Sequence, residues 1–352
     1  MSSSGQAADL RRVVVVGASA GGVESLREFV SALPADLPAA VLVVLHLAPH
    51  GTSVLPQILA RHSRLTVRSA TGLDDLEPGT VLVACPDEHL VVLDGRVRGS
   101  RGPQENGLRP SVDVLFRSAA HAHNSAVIAV VLSGTLDDGT AGALAVHQFG
   151  GTVLAQDPER CSFPGMPRSV IENVPVYAIG SPAELAAIVD RLSRTELVPT
   201  PVGQHHATER MTPREVDIAA SGVDDQDADD RLGDAAGYAC PHCSGPLFAL
   251  DDEMMRYRCR MGHAWSPQDL LAEQARALDA ALWTALRALQ QKATLSRALA
   301  LRACERGSEL SSHRFVAQAD EAMQAAVQLR LLIDNSTDDA VARPVPREAH
   351  DG

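Results

Sequence analysis

Residues 13–22 have the sequence VVVVGASAGG, and this stretch decides the fold of the first part of the chain. Four consecutive valines favour a strand that is buried on both faces, and the glycine pair at its end opens a helical pattern. Further apolar strands are predicted at residues 40–45, 80–84, 89–93, 126–132 and 152–155. Because apolar strands that alternate with helices form parallel sheets, residues 11–195 are predicted to be an α/β domain with a doubly wound, mostly parallel sheet.

Residues 17–21 match the pattern G-x-S-x-G, a sharp strand-to-helix turn that presents a serine, Ser19, at the edge of a sheet. The helix that follows supplies free backbone N–H groups, which suit an oxyanion. Two other interpretations stay open for the turn alone: Ser19 as a helix N-cap, and a glycine-rich phosphate loop. The second is weakened because Ser19 replaces the second glycine of the dinucleotide pattern G-x-G-x-x-G.

Two more polar residues follow predicted strands. His46 comes directly after the second strand, and the pair Asp137-Asp138 follows the strand at 126–132. Either aspartate alone is equally well explained as the cap of the next helix. Because the carboxyl ends of parallel strands share one edge, the serine, the histidine and an aspartate can meet there as nucleophile, base and orienting carboxylate. Their order along the chain differs from that of the α/β-hydrolases.

Composition excludes several classes of protein. The chain has 352 residues with 31 basic and 44 acidic side chains, a formal net charge of −13, which argues against nucleic-acid binding through a broadly basic face. No apolar run reaches the 18 or so residues of a membrane span, and no signal peptide is recognisable at the start. Six cysteines are too few for a secreted disulfide scaffold. We therefore expect a cytoplasmic protein without membrane insertion.

The remainder of the chain is predicted to contain four segments. These are an acidic flexible linker at 196–236, a metal-binding module at 237–266, a helical tail at 267–333 and a disordered end at 334–352. The helical tail has leucines at spacings of three, four and seven residues, which is typical of an α-hairpin or of a seam between copies of the chain. A homo-oligomer formed through this tail is therefore one predicted assembly.

Four residues of the module are of the types that bind metal ions. Cys240, Cys243, Cys259 and His263 follow the spacing C-x2-C-x15-C-x3-H, which predicts a tetrahedral zinc site. Since the protein fills all four positions, this zinc would be structural, and we expect no cofactor for catalysis. His242 is an alternative ligand, and a redox-active C-x-x-C pair is the alternative to a metal site.

Residues 12–193 resemble the catalytic domain of the chemotaxis protein-glutamate methylesterases, the CheB family. The resemblance is carried by five segments in the family's order: VVVVGASAGG at 13–22, HLAP at 46–49, LRPSVDVLF at 108–116, LSGTLDDGTAG at 132–142 and FPGMP at 163–167. It implies hydrolysis of glutamyl γ-methyl esters on chemoreceptor helices and, as a second activity, deamidation of glutamine. The family's serine, histidine and aspartate match Ser19, His46 and Asp138.

The resemblance also implies which groups surround the reacting atoms. Backbone amides near Ala20 and Thr135 would hold the oxyanion, and Arg109 and Met166 would border the substrate cleft. Two of these positions depart from the family pattern: Ala20 replaces a threonine that some members have, and Thr135 replaces a methionine. Arg109 and Met166 are explained equally well as structural residues that brace a loop and pack in the core.

The resemblance leaves a second function class open, a non-catalytic signalling adaptor that keeps the esterase fold and binds partners through the zinc and helical region. Family members often carry an N-terminal receiver domain, and we expect none here because about a dozen residues precede the first strand. Methylated chemoreceptor-like helices are the predicted partners, with a receptor methyltransferase or a signalling kinase as further ones.

Overall fold

The structure is a computed structural model, and it describes residues 12–46, 53–196, 206–221, 233–250 and 255–341. The chain divides into two compact units after Leu270. Across these residues no helix has both the length and the apolar composition needed to cross a membrane.

The first unit contains the strands and most of the helices. The strands are β1 (Arg12–Ala18), β2 (Ala39–Leu45), β3 (Thr66–Ser69), β4 (Leu73–Asp75), β5 (Thr80–Val83), β6 (His89–Leu93), β7 (Arg96–Ser100), β8 (Val127–Val131), β9 (Thr152–Gln156), β10 (Ala178–Gly180), β11 (Ala235–Ala239), β12 (Pro246–Ala249), β13 (Tyr257–Cys259) and β14 (Ala264–Trp265). The helices of the whole chain are α1 (Gly22–Ala32), α2 (Leu55–Ala60), α3 (Val112–His123), α4 (Thr140–Gln148), α5 (Gly165–Asn173), α6 (Pro182–Arg194), α7 (His206–Ser221), α8 (Pro267–Glu305) and α9 (Glu309–Val341).

The main sheet has seven parallel strands in the order β10-β9-β8-β1-β2-β5-β3, which confirms the predicted fold class. The four valines of β1 are fully buried. Val13 and Val15 belong to the core on one face of the sheet, and Val14 and Val16 belong to the core on the other. Alternate side chains of a strand point to opposite faces, so a strand covered on both sides must be apolar throughout.

A separate antiparallel sheet, β4-β7-β6, lies within the same unit. Its β6-β7 hairpin turns at Asp94-Gly95, a dipeptide whose sequence by itself predicts a tight hairpin turn, and both residues have positive φ angles of 50° and 74°. Two consecutive left-handed residues define the turn type that matches the twist of a tight hairpin.

Helix α7 contradicts the prediction that residues 196–236 are wholly a flexible linker. Its Val216 and Ala219 are buried against Val91 of β6 and Val114 of α3. Five of the six aspartates that suggested a tether lie C-terminal to this helix, at 224–230, outside the described residues, and the sixth, Asp234, directly precedes β11. Because the segment is polar on average, its composition does not reveal the one short apolar face of α7.

The predicted metal-binding module packs against the α/β domain, a contact on which the sequence alone makes no prediction. Residues 233–250 and 255–270, here named the cysteine module, form the antiparallel sheet β11-β12-β13-β14 and belong to the first compact unit. The Asn106 N–H donates to the Ala264 carbonyl (2.8 Å), and the Ala264 N–H donates to the Gln104 carbonyl (3.3 Å). The last strand of the module therefore pairs with a loop of the α/β domain.

The second unit consists of helices α8 and α9 beyond Leu270, which confirms the predicted C-terminal helices. Leu286, Ala326 and Ile333 form its buried core, and the Arg330 guanidinium lies 5.0 Å from the centre of the Trp283 ring. Helix α9 continues to Val341, which contradicts the prediction of disorder from residue 334. Arg330 pairs with Asp334 one turn later, and such pairs stabilise a helix end. Residues 342–352 lie outside the described residues.

Candidate active site

Ser19, His46 and Asp138 follow β1, β2 and β8, three adjacent strands of the main sheet. Chain order runs from β1 to β2 on one side, and the chain later returns to β8 on the other side of β1. Ligand sites of open α/β sheets lie at such a reversal, beyond the carboxyl ends of the strands. The His46 N–H donates to the Ala18 carbonyl (3.1 Å), so the histidine begins directly beside the serine turn. Residues 47–49 of the family segment lie outside the described residues.

The serine turn is tight, and its glycines are required by close contacts. The Ser19 N–H donates to the Ser133 carbonyl (2.9 Å), and the Ser19 carbonyl accepts from the Gly22 N–H (2.8 Å). Gly21 has a φ of 68°, which favours glycine. A Cβ on Gly17 would overlap with Val112, the first residue of α3. The pattern G-x-S-x-G therefore lets α3 approach β1 below the serine.

The His46 ring is held by Asp138. Its Nε2 lies 2.7 Å from Asp138 Oδ2, and the carboxylate is 1% exposed. An ionised carboxylate only accepts hydrogen bonds, so the proton of the neutral ring resides on Nε2 and leaves the lone pair on Nδ1. Among the described residues the Ser19 hydroxyl has no hydrogen-bond partner. The structure thus brings the histidine and the aspartate into contact, with the serine at the neighbouring strand end.

Asp138 sits at the N-terminus of α3, although it precedes α4 in sequence. Its carboxylate accepts from the Val112 N–H (2.7 Å), the Asp113 N–H (3.3 Å) and the Ser111 hydroxyl (2.8 Å). Burial by itself raises the pKa of Asp138, but the hydrogen bonds from His46, Val112 and Ser111 outweigh it, and the pKa lies below its usual value. The positive end of α3 favours the same charged form.

The N-termini of α3 and α4 are each capped by an aspartate from the other segment. Asp113 Oδ1 accepts from the Gly139 N–H (3.0 Å) and the Gly142 N–H (2.6 Å), so Asp113 of α3 caps α4, while Asp138 caps α3. Burial and the nearby Asp138 charge raise the pKa of Asp113. The expectation that the Asp137 or Asp138 side chain caps α4 is therefore wrong, because tertiary contacts supply the caps of both helices.

The two predicted oxyanion positions lie on loops that meet at the serine. The Ala20 carbonyl accepts from the Ser133 hydroxyl (2.8 Å), and Thr135 is exposed. Neither the Ala20 N–H nor the Thr135 N–H finds an acceptor within the described part of the chain. Gly134, between the two loops, would place a Cβ 2.9 Å from the Ser19 Cβ. Both amides thus stay available for an anion.

The structure places Arg109 and Met166 in supporting positions. Arg109 pairs with Asp87 (2.8 Å) and donates to the Gly102 carbonyl (2.8 Å). Met166 is fully buried, and its side chain packs where a Cβ on Gly134 would lie. Arg109 therefore braces a loop, and Met166 supports the Ser19 turn from beneath instead of presenting a surface to substrate.

The cysteine module contains a group of residues that could hold a metal ion: Cys240, Cys243, Cys259 and His263. Their ligand atoms all lie within 4.8 Å of one another. The Cys243 and Cys259 sulfurs are 3.6 Å apart, and His263 Nδ1 lies 3.4 Å from the Cys259 sulfur. A tetrahedral zinc with bonds of about 2.3 Å to sulfur separates its ligands by roughly 3.8 Å. The spacing of the group therefore fits zinc. The alternative ligand, His242, lies beside His263 with ring centres 4.3 Å apart and is not a member of the group.

Five buried charges join the cysteine module, α7 and the α/β domain. Glu105 receives two hydrogen bonds from Arg117 (2.7 and 2.6 Å), and Glu215 of α7 receives one each from Arg256 (2.6 Å) and Arg258 (2.7 Å). Both module arginines also reach Glu105 at 3.2 Å. All five side chains are at most 6% exposed. These five residues are named the ion cluster below.

Sequence reasoning missed the ion cluster and two residues near Asp138, Asn106 and Ser266. Charged residues scattered over 150 positions give no periodic signal, so the cluster was not detectable. Ser266 had a usable signal, since Ser266-Pro267-Gln268-Asp269 is a helix N-terminal sequence. The Asp269 N–H indeed donates to the Ser266 hydroxyl (3.0 Å).

Comparison with known proteins agrees with this geometry. A family model described as CheB methylesterase matches residues 14–189. Proteins named protein-glutamate methylesterase/protein-glutamine glutaminase match from Methanosarcina mazei (40% identity; 47% of each chain) and Thermotoga maritima (39% identity; 51% of this chain, 54% of the relative). The chain spans about half the length of the curated relatives it matches.

A solved structure supports the same relationship. The Thermotoga maritima CheB methylesterase catalytic domain is 37% identical, with a TM-score of 0.50, over 51% of this chain and 98% of that domain. The family match over residues 14–189 includes the three strand ends that carry Ser19, His46 and Asp138. The chain belongs to the CheB methylesterase family.

Proposed function

We propose that this chain is a protein-glutamate methylesterase, with Ser19 as nucleophile, His46 as base and Asp138 as the carboxylate that orients the histidine. The observation that carries the proposal is the 2.7 Å hydrogen bond between His46 Nε2 and Asp138 Oδ2, formed beside the Ser19 turn in a CheB-type domain. It leaves the unprotonated Nδ1 as the base. Relatives named methylesterase/glutaminase support the ester and amide substrates.

In the proposed reaction, Ser19 Oγ attacks the ester carbonyl carbon of a methylated glutamate while its proton passes to His46 Nδ1. The charge on Asp138 stabilises the imidazolium that forms. The carbon–oxygen bond to the methoxy group then breaks, and the His46 proton leaves with it as methanol. A water molecule deprotonated by His46 attacks the acyl-enzyme and releases glutamate and free Ser19. With glutamine as substrate, the leaving group is ammonia.

The Ala20 and Thr135 amides are the proposed donors to the oxyanion. Backbone donors survive the side-chain differences from other family members at these two positions. Fixed N–H groups aimed at developing charge contribute about 2.7–4 kcal/mol each where they have been measured. The lack of an acceptor for either amide among the described residues supports this role.

The direct test is methanol release from a methylated chemoreceptor fragment by the purified full chain. Ser19→Ala removes the nucleophile, and we expect methanol release to fall to background while thermal unfolding is unchanged. Ser31→Ala, an exposed serine of α1 remote from the strand ends, is the matched control and should keep wild-type activity. Full activity of Ser19→Ala would refute the proposal.

We also propose that Cys240, Cys243, Cys259 and His263 bind one structural zinc ion. The short distances between the ligand atoms support it, as does the Trp265 N–H, which donates to the Cys240 sulfur (3.4 Å) from the module core. When bound, the ion would tie together the two turns that precede β12 and β14. A module with so small a core gains much of its stability from such a tie.

Metal analysis of the purified chain tests the zinc proposal. We expect about one zinc per chain, reduced to background in Cys243→Ser. Cys304→Ser, an exposed cysteine of α8, should keep the full content. Folded wild-type protein that contains no zinc after zinc has been supplied would exclude the site.

The proposed partners follow from the proposed activity. Methylated chemoreceptor-like helices are the proposed substrates, with a receptor methyltransferase or a signalling kinase as further partners. Zinc thiolates need a reducing compartment, so we place the activity in the cytoplasm. Exposed leucines on α8 and α9, such as Leu278 and Leu331, agree with the predicted homo-oligomer through the helical tail.

A further inference from the structure

Asn106 lies between the cysteine module and the carboxylate of Asp138. Its side-chain oxygen accepts from the Ser266 N–H (2.8 Å), and its side-chain nitrogen lies 3.3 Å from Asp138 Oδ1. The residue is 6% exposed. One buried amide therefore contacts both the cysteine module and the carboxylate proposed to orient His46.

The orientation of the Asn106 amide is fixed by its neighbours. The nitrogen faces two carboxylates, Asp138 and Asp113 (3.4 Å), which accept hydrogen bonds when ionised. The oxygen faces the Ser266 N–H, which only donates. Rotation of the amide by 180° would set an oxygen against the carboxylates and the NH₂ group against an N–H, so it is excluded chemically.

A second set of contacts ties the same part of the module to the same loop. The Ser266 hydroxyl donates to Asp137 Oδ1 (2.7 Å), one residue before Asp138. The Asn106 N–H donates to the Ala264 carbonyl (2.8 Å), between the predicted ligand His263 and Ser266. Residues 264–266 thus contact two neighbours of Asp138: Asn106, whose side chain faces its carboxylate, and Asp137, which precedes it in the chain.

We propose that Asn106 is a positioning residue through which the metal-bound cysteine module holds Asp138, and with it His46, in the reactive arrangement. The inference rests on the proposed function of Ser19, His46 and Asp138. The module fixes the Asn106 oxygen, and the Asn106 nitrogen then holds Asp138 Oδ1 while Oδ2 faces His46. Loss of the metal releases residues 264–266, so Asn106 turns away and Asp138 loses one of its donors.

The first experiment uses a spectroscopic readout that needs no catalysis. In the Ser19→Ala background, the proton between His46 Nε2 and Asp138 is followed by NMR as a downfield imidazole N–H resonance. We expect Asn106→Ala, which removes both contacts, to shift and broaden this resonance. Asn106→Leu keeps the approximate volume of the side chain but lacks both hydrogen bonds, and it should produce the same change with zinc still bound.

The matched control is Asn173→Ala, whose side chain donates to the Ser169 carbonyl (2.8 Å) in α5 away from Asp138. It should leave the His46 resonance in place. In the Ser19-containing chain, labelling of the serine by a fluorophosphonate should slow about tenfold in Asn106→Ala, the usual effect of losing a hydrogen bond to a charged group. An unchanged resonance and unchanged labelling in Asn106→Ala would overturn the inference.

The second experiment tests whether the metal acts through Asn106. Chelation of zinc from the full chain should reproduce the change seen in metal-loaded Asn106→Ala, and chelation of Asn106→Ala should add little. Effects that do not add in this way indicate that the metal and Asn106 influence Asp138 through the same contacts. If the two effects add in full, the module does not act through Asn106 and the inference fails.

Failure of the inference and failure of the proposed function give different results. If Ser19 is not a nucleophile, wild-type protein takes up no fluorophosphonate, yet the NMR resonance still reports whether Asn106 holds Asp138. If Ser19 is the nucleophile and Asn106 is only structural, labelling proceeds at the wild-type rate in every folded Asn106 variant.

Discussion

At the scale of single residues, Asp138 connects the site to the fold. One oxygen of its carboxylate faces His46, and the other faces Ser111 and Asn106. The N-terminal amides of α3 complete the set. A buried carboxylate with so many donors stays ionised, as the lowered pKa of Asp138 shows. The hydrogen bonds that cap α3 therefore also keep Asp138 ionised, which is the form that orients His46.

Asp138→Asn should leave the fold intact and nearly abolish activity. The amide has one donor group and one acceptor oxygen, so it cannot accept from both His46 and the α3 amides, and the ring then adopts the wrong tautomer. We expect kcat for methanol release to fall by about 10⁴-fold, as in other serine hydrolases with this change. Asp190→Asn, at a half-buried position of α6 remote from the strand ends, is the control. Activity within tenfold of wild type would show that Asp138 does not orient His46.

Gly17 tests how closely α3 must approach the serine strand. Gly17→Ala places a methyl group against the Val112 side chain, and we expect it to lower the free energy of unfolding by about 1–3 kcal/mol, measured with urea. The double variant Gly17→Ala/Val112→Ala removes the obstructing methyl groups. It should therefore be destabilised by less than the sum of the two single changes. Full additivity would mean that the close approach is not the reason for glycine.

At the scale of secondary-structure elements, the ion cluster joins parts of the chain that are far apart in sequence. Glu105 precedes α3, Glu215 belongs to α7, and Arg258 lies in β13 next to the predicted ligand Cys259. Burial opposes the charge on Glu215, but the three arginines outweigh it and lower the pKa of this residue to about 2. Since each buried charge has a partner, removal of one partner leaves another uncompensated.

Stability should therefore depend on pH through the cluster. The folded-state pKa of Glu215 lies below its value of about 4.5 in an unfolded chain, so its contribution is present above pH 4.5 and is lost as pH falls toward 2. Urea unfolding of wild type should show this fall, and Glu215→Gln should be less stable at pH 7 with a smaller fall. Glu172→Gln, exposed on α5, should follow wild type. Identical pH profiles for all three proteins would contradict the role of the cluster.

These elements also show what sequence could and could not predict. The valines of β1, the turn at Asp94-Gly95 and the spacing of the four metal ligands follow local rules, and each was predicted correctly as an element or a group. The position of the cysteine module was not, because it depends on pairing between Glu105 and arginines about 150 residues later. Helix α7 was missed because only a few apolar residues distinguish it from a tether.

At the scale of the whole molecule, the first compact unit is larger than the family domain. It extends through α7 and the cysteine module to Leu270, whereas the family match ends at residue 189. The α/β domain, α7 and the module share the ion cluster and the contacts around Asn106. We therefore expect them to unfold as one cooperative body.

Metal removal tests this cooperativity. Chelation should lower the melting temperature of the transition that contains the α/β sheet, because the folded unit loses a ligand that the unfolded chain does not bind equally well. Cys161→Ser, a cysteine outside the metal group, should melt like wild type and respond equally to chelator. A sheet transition that stays in place while only the module unfolds would show that the two are independent.

The central claim is that Ser19 is an activated nucleophile, and the most direct measurement is its reaction with a fluorophosphonate followed by mass spectrometry. We predict one adduct per chain, located on Ser19, and its loss in His46→Ala protein that remains folded. No adduct on folded wild-type protein, or an adduct on a different serine, would contradict the account.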